Sequence, residues 1–225
     1  MNPYNVVKDF EAALCEYTGA KYAVTTNSCT MALLLAVAWH LRERRAWSLI
    51  GEEMRISSDK EFKQVIEIPK HTYISVPQSI IHAGGRPVFR DEEWRGAYQL
   101  KPLPVWDSAR WLTSGMWIDK MFDEGAPLQM ICLSFHASKI LGDTQGGAIL
   151  HDNPEADAWL RRSRFDGRTE GVAPKDDTFN HIGYHCYMSP DVAARLLLKL
   201  SVLPKHNEPL KNDAYPDLSK IAAFM

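Results

Sequence analysis

The 225-residue sequence lacks an excess of either charge, because 26 Lys and Arg face 28 Asp and Glu for a formal net charge of −2. Surfaces that bind nucleic acid usually carry a clear basic excess. The four cysteines are scattered and form no Cys-x-x-Cys pair, which argues against a disulfide framework and against a zinc cage. We therefore expect no nucleic-acid partner and no metal.

Long apolar runs and linkers are also lacking. The longest apolar run, residues 31–39, is too short to cross a bilayer. The first residues carry charge and have no apolar stretch of the kind found in signal peptides. No repeat or low-complexity tract divides the chain. We expect a cytoplasmic protein without a membrane partner, built around one main domain.

Short apolar strands alternate with helical segments along the chain. Strands are predicted at residues 22–25, 65–68, 87–89, 128–133 and 148–150, and helices at 3–17, 30–45 and 73–83. This alternation predicts an α/β fold with a mostly parallel sheet sandwiched by helices. Ligands of such sheets bind at the carboxyl ends of the strands. Residues 27–30, Asp107 and residues 134–139 are all expected at those ends.

The first candidate binding element is Asn27-Ser28-Cys29-Thr30, between a predicted strand and a predicted helix. Ser28 can cap the helix, and the free N–H groups of the first helical turn can bind an anion. The simpler interpretation is a helix cap alone. The chain has no G-x-G-x-x-G or Walker sequence, so a dinucleotide or nucleoside triphosphate is not indicated.

The second and third candidates are Asp107 and Lys139. A carboxylate at a strand end can pair with a protonated nitrogen, although it can equally cap the next helix. A lysine among small residues after a buried strand can be partly desolvated and become nucleophilic toward a carbonyl, although most single lysines are solvated. His136 has no second ligand at zinc-site spacing. A pyridoxal phosphate site needs three parts, and all three candidates are present: a site for an anion, a carboxylate for the ring nitrogen and a lysine that reacts with a carbonyl.

Five segments, in order, carry a family resemblance: FEAALCEYTGAKYAVTTNSCTMALLLA, IPKHTYISVPQSIIHAGGRPVFRD, VWDSARWL, LSFHASKILGDTQGGAIL and GYHCYMS. The most specific of them is SFHASK with its trailing GGA. On these segments the chain resembles the DegT/DnrJ/EryC1/StrS family of sugar aminotransferases, which have the type I fold of pyridoxal phosphate enzymes. The resemblance covers most of residues 10–200.

The resemblance implies a role for each matching residue. Lys139 would form the Schiff base with pyridoxal 5′-phosphate, and Asp107 would pair with the pyridinium nitrogen. Tyr73 would stack on the cofactor ring, although an aromatic residue at a strand end is more often plain packing. The phosphate would be held by the start of the second helix and by a serine near the lysine, namely Ser28, Cys29, Thr30 and Ser134.

Three departures from the family pattern stand out. Arg110 occupies a position near the cofactor's phenolic oxygen where the family has Gln or His, and it could hold the phenolate ionised or reach a substrate anion. His185 replaces an Asn that reaches the phosphate of the partner subunit, and it could still donate there. The chain is short, so we expect a large domain at residues 1–190 followed by a helical remnant and tail at 191–225, in place of a full small domain.

The resemblance implies transfer of an amino group from an amino acid, glutamate, to a keto sugar nucleotide or similar carbonyl compound, by a homodimer. Lys139 argues against the dehydratase branch, in which histidine replaces that lysine. Three alternatives remain. The chain could be a non-catalytic relict that serves as a binding subunit, a lyase or decarboxylase on the same scaffold, or a nucleotide-binding Rossmann protein that lacks the glycine fingerprint.

Overall fold

The computed structural model describes residues 2–51, 63–118, 128–212 and 214–224, with backbone only for residues 43–51. The helices are α1 (Asn5–Thr18), α2 (Cys29–Gly51), α3 (Ser75–His82), α4 (Pro154–Arg164) and α5 (Pro190–Ser201). The strands are β1 (Tyr22–Thr26), β2 (Val65–Pro69), β3 (Arg86–Arg90), β4 (Tyr98–Gln99), β5 (Val105–Asp107), β6 (Met130–Ser134) and β7 (Gly147–His151). The alternation of strands and helices is therefore confirmed.

The helix boundaries follow from local sequence signals. In α1 the buried residues Val7, Phe10 and Leu14 recur at helical spacing and form one apolar stripe. The helix ends at Gly19, whose φ of 82° lies in the left-handed region that glycine adopts without strain. At the start of α4 the side chain of Asn153 accepts a 2.8 Å hydrogen bond from the N–H of Ala156, which satisfies one free donor of the first turn.

The main sheet has five strands in the order β1-β7-β6-β5-β4. Strands β1, β5 and β6 run in one direction, because β5 and β6 pair in parallel and β7 is antiparallel to both β1 and β6. A parallel pair, β2 and β3, forms a second sheet. Hydrogen bonds of 2.7 and 3.1 Å between the backbones of Glu67 and Lys101 join the two sheets. The carboxyl ends of β1, β5 and β6 therefore meet at one edge.

The α/β class is confirmed, but the expectation of a mostly parallel main sheet is wrong, because the sheet is mixed. Three of its pairings, β1–β7, β6–β7 and β4–β5, are antiparallel. A parallel pairing of consecutive strands needs a crossover connection, usually a helix. Residues 135–146, between β6 and β7, contain turns without a helix, and β4 and β5 form a hairpin. These direct connections return the chain in the opposite direction.

Helices cover both faces of the sheet, as expected. Successive residues of β6 alternate between two core clusters, with Met130 and Cys132 in one and Ile131 and Leu133 in the other, as the two-residue period of a strand requires. Helices α2, α3 and α4 supply the first cluster, and α1 and α5 the second. The domain boundary at residue 190 stays a prediction; Leu196 of α5 shares a core cluster with residues of α1.

A buried ion pair ties α1 to α4. The Glu11 carboxylate accepts hydrogen bonds from the Thr25 N–H and hydroxyl at 2.9 and 2.8 Å, from Arg161 at 2.7 Å and from Arg164. Burial alone would raise the pKa of Glu11, but the two guanidinium groups and the Thr25 amide outweigh it and lower the pKa to about 2. The side chains of Arg161 and Arg164 are thus engaged in holding the fold together.

We expect Glu11→Gln to destabilise the fold by about 3–5 kcal/mol, because it removes one of the two carboxylates that pair with the buried Arg164 guanidinium and leaves only the more exposed Glu170. Folding lowers the pKa of Glu11. The contribution of its charge to the free energy of unfolding is therefore present at neutral pH and is lost as the pH falls from 4.5 toward 2. Urea unfolding at several pH values measures this. Wild type and variant should converge in acid, and Glu16→Gln, on an exposed position of the same helix, serves as control. A difference that stays constant with pH would contradict the assignment.

Candidate active site

The start of α2 lies against the first residue of β7. A Cβ atom on Gly147 would come within 2.5 Å of both the Cys29 amide nitrogen and the Ser28 carbonyl carbon, so only glycine allows this approach. The Ser28 hydroxyl caps α2 by accepting a hydrogen bond from the Met31 N–H at 3.3 Å. The first turn of α2 is thereby fixed at the edge where β1, β5 and β6 end.

The last residue of β5, Asp107, is a buried carboxylate that is 5% exposed. One of its oxygens accepts a 2.9 Å hydrogen bond from the Ala109 N–H, and the other accepts a 2.8 Å hydrogen bond from the Tyr98 hydroxyl. Burial raises the pKa of Asp107, although these two donors and the Lys139 charge act to lower it. A carboxylate in this state gains strongly from any additional cationic partner.

Tyr98 was not predicted from the sequence as a site residue. It pairs directly with Asp107 across the β4–β5 hairpin, and its oxygen lies 2.6 Å from the Thr72 hydroxyl. Since Tyr98 gives its single proton to Asp107, Thr72 must be the donor in that second bond. Burial of Tyr98 and, to a smaller extent, the negative charge of Asp107 raise the pKa of Tyr98 well above its ordinary value. The chain from Thr72 through Tyr98 to Asp107 orients the carboxylate.

The loop that carries Lys139 follows β6 and is anchored to α5. Within this loop, the nearly buried Asp143 accepts hydrogen bonds from Arg195 at 2.9 Å and from Lys199 at 2.7 Å. These two cations lower the pKa of Asp143, so the carboxylate remains charged at neutral pH. The Lys139 N–H donates to the His136 carbonyl at 2.8 Å, which closes a turn around the lysine.

A cavity of about 310 Å³ opens at this edge of the sheet. It is lined by eight of the nine predicted site residues, namely Ser28, Cys29, Thr30, Tyr73, Asp107, Arg110, Ser134 and Lys139. Its size and mixed lining are typical of small-molecule sites. The structure therefore brings together residues that are far apart in sequence, with the lysine and the carboxylate on one cavity.

His185 is the predicted site residue that the structure does not place on this cavity. Its exposed side chain lies 2.9 Å from a carboxylate oxygen of Asp166 and packs edge-on against Tyr187. Its predicted role concerns the phosphate of a partner subunit, and that role stays a prediction.

Further residues that were not predicted from the sequence also line the cavity. Trp94, Thr72 and Tyr215 line it, and the Trp94 ring lies 4.6 Å from that of Tyr98 and 6.3 Å from that of Tyr215. Trp94 lies in an irregular stretch, and Tyr215 in the predicted tail. Neither position has a periodic pattern around it, so no local signal could have identified them.

Cys29 lines the cavity but is a poor nucleophile. Burial and, to a smaller extent, the negative charge of Asp107 raise the pKa of its thiol well above the ordinary value. Because the thiolate is the reactive form of cysteine, Cys29 is suited to packing and to weak hydrogen bonding near the start of α2.

Two features of the described residues bear on other functions. Among them, no group of three or more His, Cys, Asp or Glu side chains is arranged to hold a metal ion. No helix within the described ranges has the length and apolar character needed to cross a membrane.

Comparison with known proteins identifies the family. The sequence profile of the DegT/DnrJ/EryC1/StrS aminotransferase family matches residues 1–105 and 117–214. The chain belongs to this family. Its members depend on pyridoxal 5′-phosphate, so the resemblance noted from the sequence is confirmed.

Curated relatives include two proteins from strains of Campylobacter jejuni, each named UDP-4-amino-4,6-dideoxy-N-acetyl-beta-L-altrosamine transaminase. They are 28% and 27% identical to this chain over 213 residues, which cover 84% of the chain and 54% of each relative. The chain therefore spans about half the length of the curated relatives it matches.

Solved structures show the same fold. AtS13 from Actinomadura melliaura matches with a TM-score of 0.63 and 18% identity, covering 88% of this chain and 60% of that one. Helicobacter pylori PseC, an aminotransferase involved in the biosynthesis of pseudoaminic acid, matches with a TM-score of 0.61 and 18% identity, covering 87% and 57%. The type I fold of pyridoxal phosphate enzymes is thereby confirmed for this member of the family.

The cavity fits the family's cofactor on three observations. The contact between Gly147 and Cys29 leaves the first turn of α2 at the cavity, where its N–H groups can receive a phosphate. The Asp107 carboxylate has two donors, whereas an ionised carboxylate accepts about four hydrogen bonds, so it can also accept one from a ring nitrogen. Lys139 lines the same cavity.

We expect Tyr98→Phe to raise the pKa of Asp107, because the variant loses a hydrogen bond that favours the ionised carboxylate. The variant should also lose about 1–3 kcal/mol of stability, since the buried Thr72 hydroxyl is left without its acceptor. Carbon NMR of aspartate-labelled protein across a pH series follows the Asp107 carboxyl directly. Tyr184→Phe, at a partly buried tyrosine that packs against the same core cluster, is the matched control. An unchanged Asp107 titration would disprove the orienting role of Tyr98.

Proposed function

We propose that this chain is a pyridoxal phosphate-dependent aminotransferase that moves an amino group from glutamate to a keto sugar nucleotide. The observation that carries the proposal is the cavity shared by Lys139, Asp107 and the first turn of α2. The family to which the chain belongs supports the reaction type. The names of the Campylobacter jejuni relatives, which specify a UDP-linked amino sugar, support the class of acceptor.

Each end of the cofactor has candidate partners in the cavity. Lys139 Nζ is the proposed point of covalent attachment, and Asp107 is the proposed partner of the ring nitrogen. The hydroxyl groups near the start of α2 and after β6, those of Ser28, Thr30 and Ser134, are the proposed phosphate donors, with Cys29 beside them. When bound, pyridoxal phosphate acts as an electron sink for the bonds at the substrate's Cα.

The proposed role of Asp107 is to hold a proton on the ring nitrogen. Burial raises the pKa of this carboxylate, so a cation beside it recovers much of the free energy lost by desolvation. The Tyr98 hydroxyl and the Ala109 N–H, at 2.8 and 2.9 Å, fix the plane of the carboxylate in advance. Preorganised charge of this kind stabilises the transition state without rearrangement during the reaction.

The proposed role of Lys139 after its release by the incoming amine is general acid–base catalysis. Its Nζ would take the proton from the substrate's Cα and pass it on to the neighbouring carbon of the cofactor. The ion pairs of Asp143 with Arg195 and Lys199 hold the loop that carries it. A fixed loop keeps the amine within proton-transfer reach and lowers the entropic cost of the step.

Tyr73 and Arg110 are proposed to hold the remaining parts of the cofactor. Tyr73 lines the cavity with 58% of its surface exposed, so its ring is accessible for stacking. Arg110 is 7% exposed and lines the cavity, and its cation is proposed to bind the phenolic oxygen of the cofactor. His185 is proposed to approach the phosphate of a partner subunit. Homodimer formation and a cytoplasmic location also stay predictions.

Covalent attachment at Lys139 is the direct test. Pyridoxal phosphate added to the purified protein should give an absorbance band near that of its lysine adducts, and borohydride reduction should leave the cofactor on Lys139 in peptide mass spectra. Lys139→Ala should abolish both signals, whereas Lys175→Ala, at an exposed position, should keep them. Labelling of another lysine in the wild-type protein would overturn the proposal.

Glutamate separates an active transferase from a subunit that only binds the cofactor. The loaded protein should convert to the pyridoxamine form when glutamate is added, with release of 2-oxoglutarate. A binding subunit would keep its spectrum unchanged. A lyase or decarboxylase would instead release carbon dioxide or a fragment of the amino acid, which product analysis with several amino acids detects.

A further inference from the structure

The C-terminal segment, residues 204–218, of which residue 213 is not described, contributes Tyr215 to the lining of the cavity. The Tyr17 hydroxyl donates to the Pro204 carbonyl at 2.5 Å, and the Trp111 indole N–H donates to the Asn207 carbonyl at 2.9 Å. The segment is thus attached at one end to α1 and to the loop that follows Asp107.

The other end of the C-terminal segment is attached beyond β2. The Leu218 N–H donates to the Lys70 carbonyl at 2.9 Å, and His71 Nδ1 donates to the Tyr215 carbonyl at 3.1 Å. Leu218 is fully buried. A polar segment that is held at both ends and buries a leucine is an integral part of the fold, and its Tyr215 lines the cavity.

Arg110 is where the C-terminal segment meets the cavity. The Leu210 N–H donates to the Arg110 carbonyl at 2.9 Å. The Arg110 guanidinium donates to the Lys211 carbonyl, and its Nη1 donates to the Tyr215 hydroxyl at 3.5 Å. A cation that lines a cavity and is 93% buried needs such acceptors, since burial without them is costly.

The ring of Tyr215 forms part of the cavity wall. It packs nearly parallel to Trp94, at an interplanar angle of 12°, and edge-on to Tyr73 with 6.5 Å between ring centroids. Both partners also line the cavity. The ring therefore joins the predicted stacking residue, Tyr73, to the aromatic packing around Tyr98 and Asp107.

We propose that Tyr215 is a positioning residue, and that it fixes the Arg110 cation at the cavity wall for an anionic oxygen of the bound cofactor. The inference rests on the proposed function for the identity of that anion. Its physical basis is that an arginine side chain loses considerable conformational entropy when it is ordered. Acceptors that order it before binding remove that cost from the binding step.

Three variants distinguish the contributions of the Tyr215 hydroxyl, the Tyr215 ring and the surrounding C-terminal region. Tyr215→Phe keeps the ring and removes the hydroxyl that accepts from Arg110 Nη1, while the Lys211 carbonyl remains as an acceptor. Tyr215→Ala also opens the wall. Phe224→Ala is the matched control, because Phe224 is an aromatic residue of the same C-terminal region that packs on Phe89, with 6.1 Å between ring centroids, outside the cavity.

The first measurement needs no cofactor. Nitrogen NMR of arginine-labelled apo-protein follows the exchange of the Arg110 side-chain protons with water. We expect exchange to be about tenfold faster in Tyr215→Phe than in wild type, the factor for loss of one hydrogen bond to a charged group. Phe224→Ala should match wild type. Unchanged exchange in Tyr215→Phe, or equal acceleration in Phe224→Ala, would overturn the positioning role.

The second measurement uses pyridoxal phosphate itself. Because a fixed cation favours an ionised phenolic oxygen, the absorbance titration of the loaded protein should shift to higher pH in Tyr215→Phe, with Phe224→Ala unchanged. Tyr215→Ala should in addition bind the cofactor more weakly. If wild type takes up no cofactor while Arg110 exchange responds to Tyr215→Phe, the proposed function fails and the positioning of Arg110 stands. If Lys139 is labelled normally and the titration does not shift, the proposed anion is wrong.

Discussion

The contact between Gly147 and the start of α2 is the constraint on which the candidate site depends. The backbone of Gly147 lies so close to Ser28 and Cys29 that a single added carbon would overlap them. The approach is possible because β7 runs opposite to β1 and β6, between which it lies. The amino end of β7 therefore meets the carboxyl ends of its neighbours, and a helix start, a carboxylate and an amine all face one cavity.

Much of the site could be predicted from the sequence because its parts are local. Apolar runs before Asp107 and before Ser134 predict buried strands, and the residues after a strand end must lie at the sheet edge. The small residues around Lys139 indicate a lysine that can be partly desolvated. The family resemblance then assigned to these residues roles that their local pattern leaves open. Eight of the nine predicted site residues line one cavity.

The direction of strand pairing and the support of Asp107 could not be predicted in the same way. Strand β4 is two residues long, too short to show a two-residue period, so the hairpin that sets Tyr98 beside Asp107 leaves no pattern. The C-terminal segment has no helical or strand period either. Its position is determined by hydrogen bonds to distant backbone groups, such as that of Leu218 to Lys70, which no local reading reveals.

The pairing of β1 with β7 joins residues 22–26 to residues 147–151, and its consequence concerns synthesis of the chain. Pairings between remote residues close slowly, because the long intervening loop must be ordered first. Until the ribosome has made residues 147–151, β1 has no neighbour on the β7 side. Until then the apolar start of α2, which packs against β7 in the folded protein, lacks that cover, so the nascent chain exposes apolar surface on which it can aggregate.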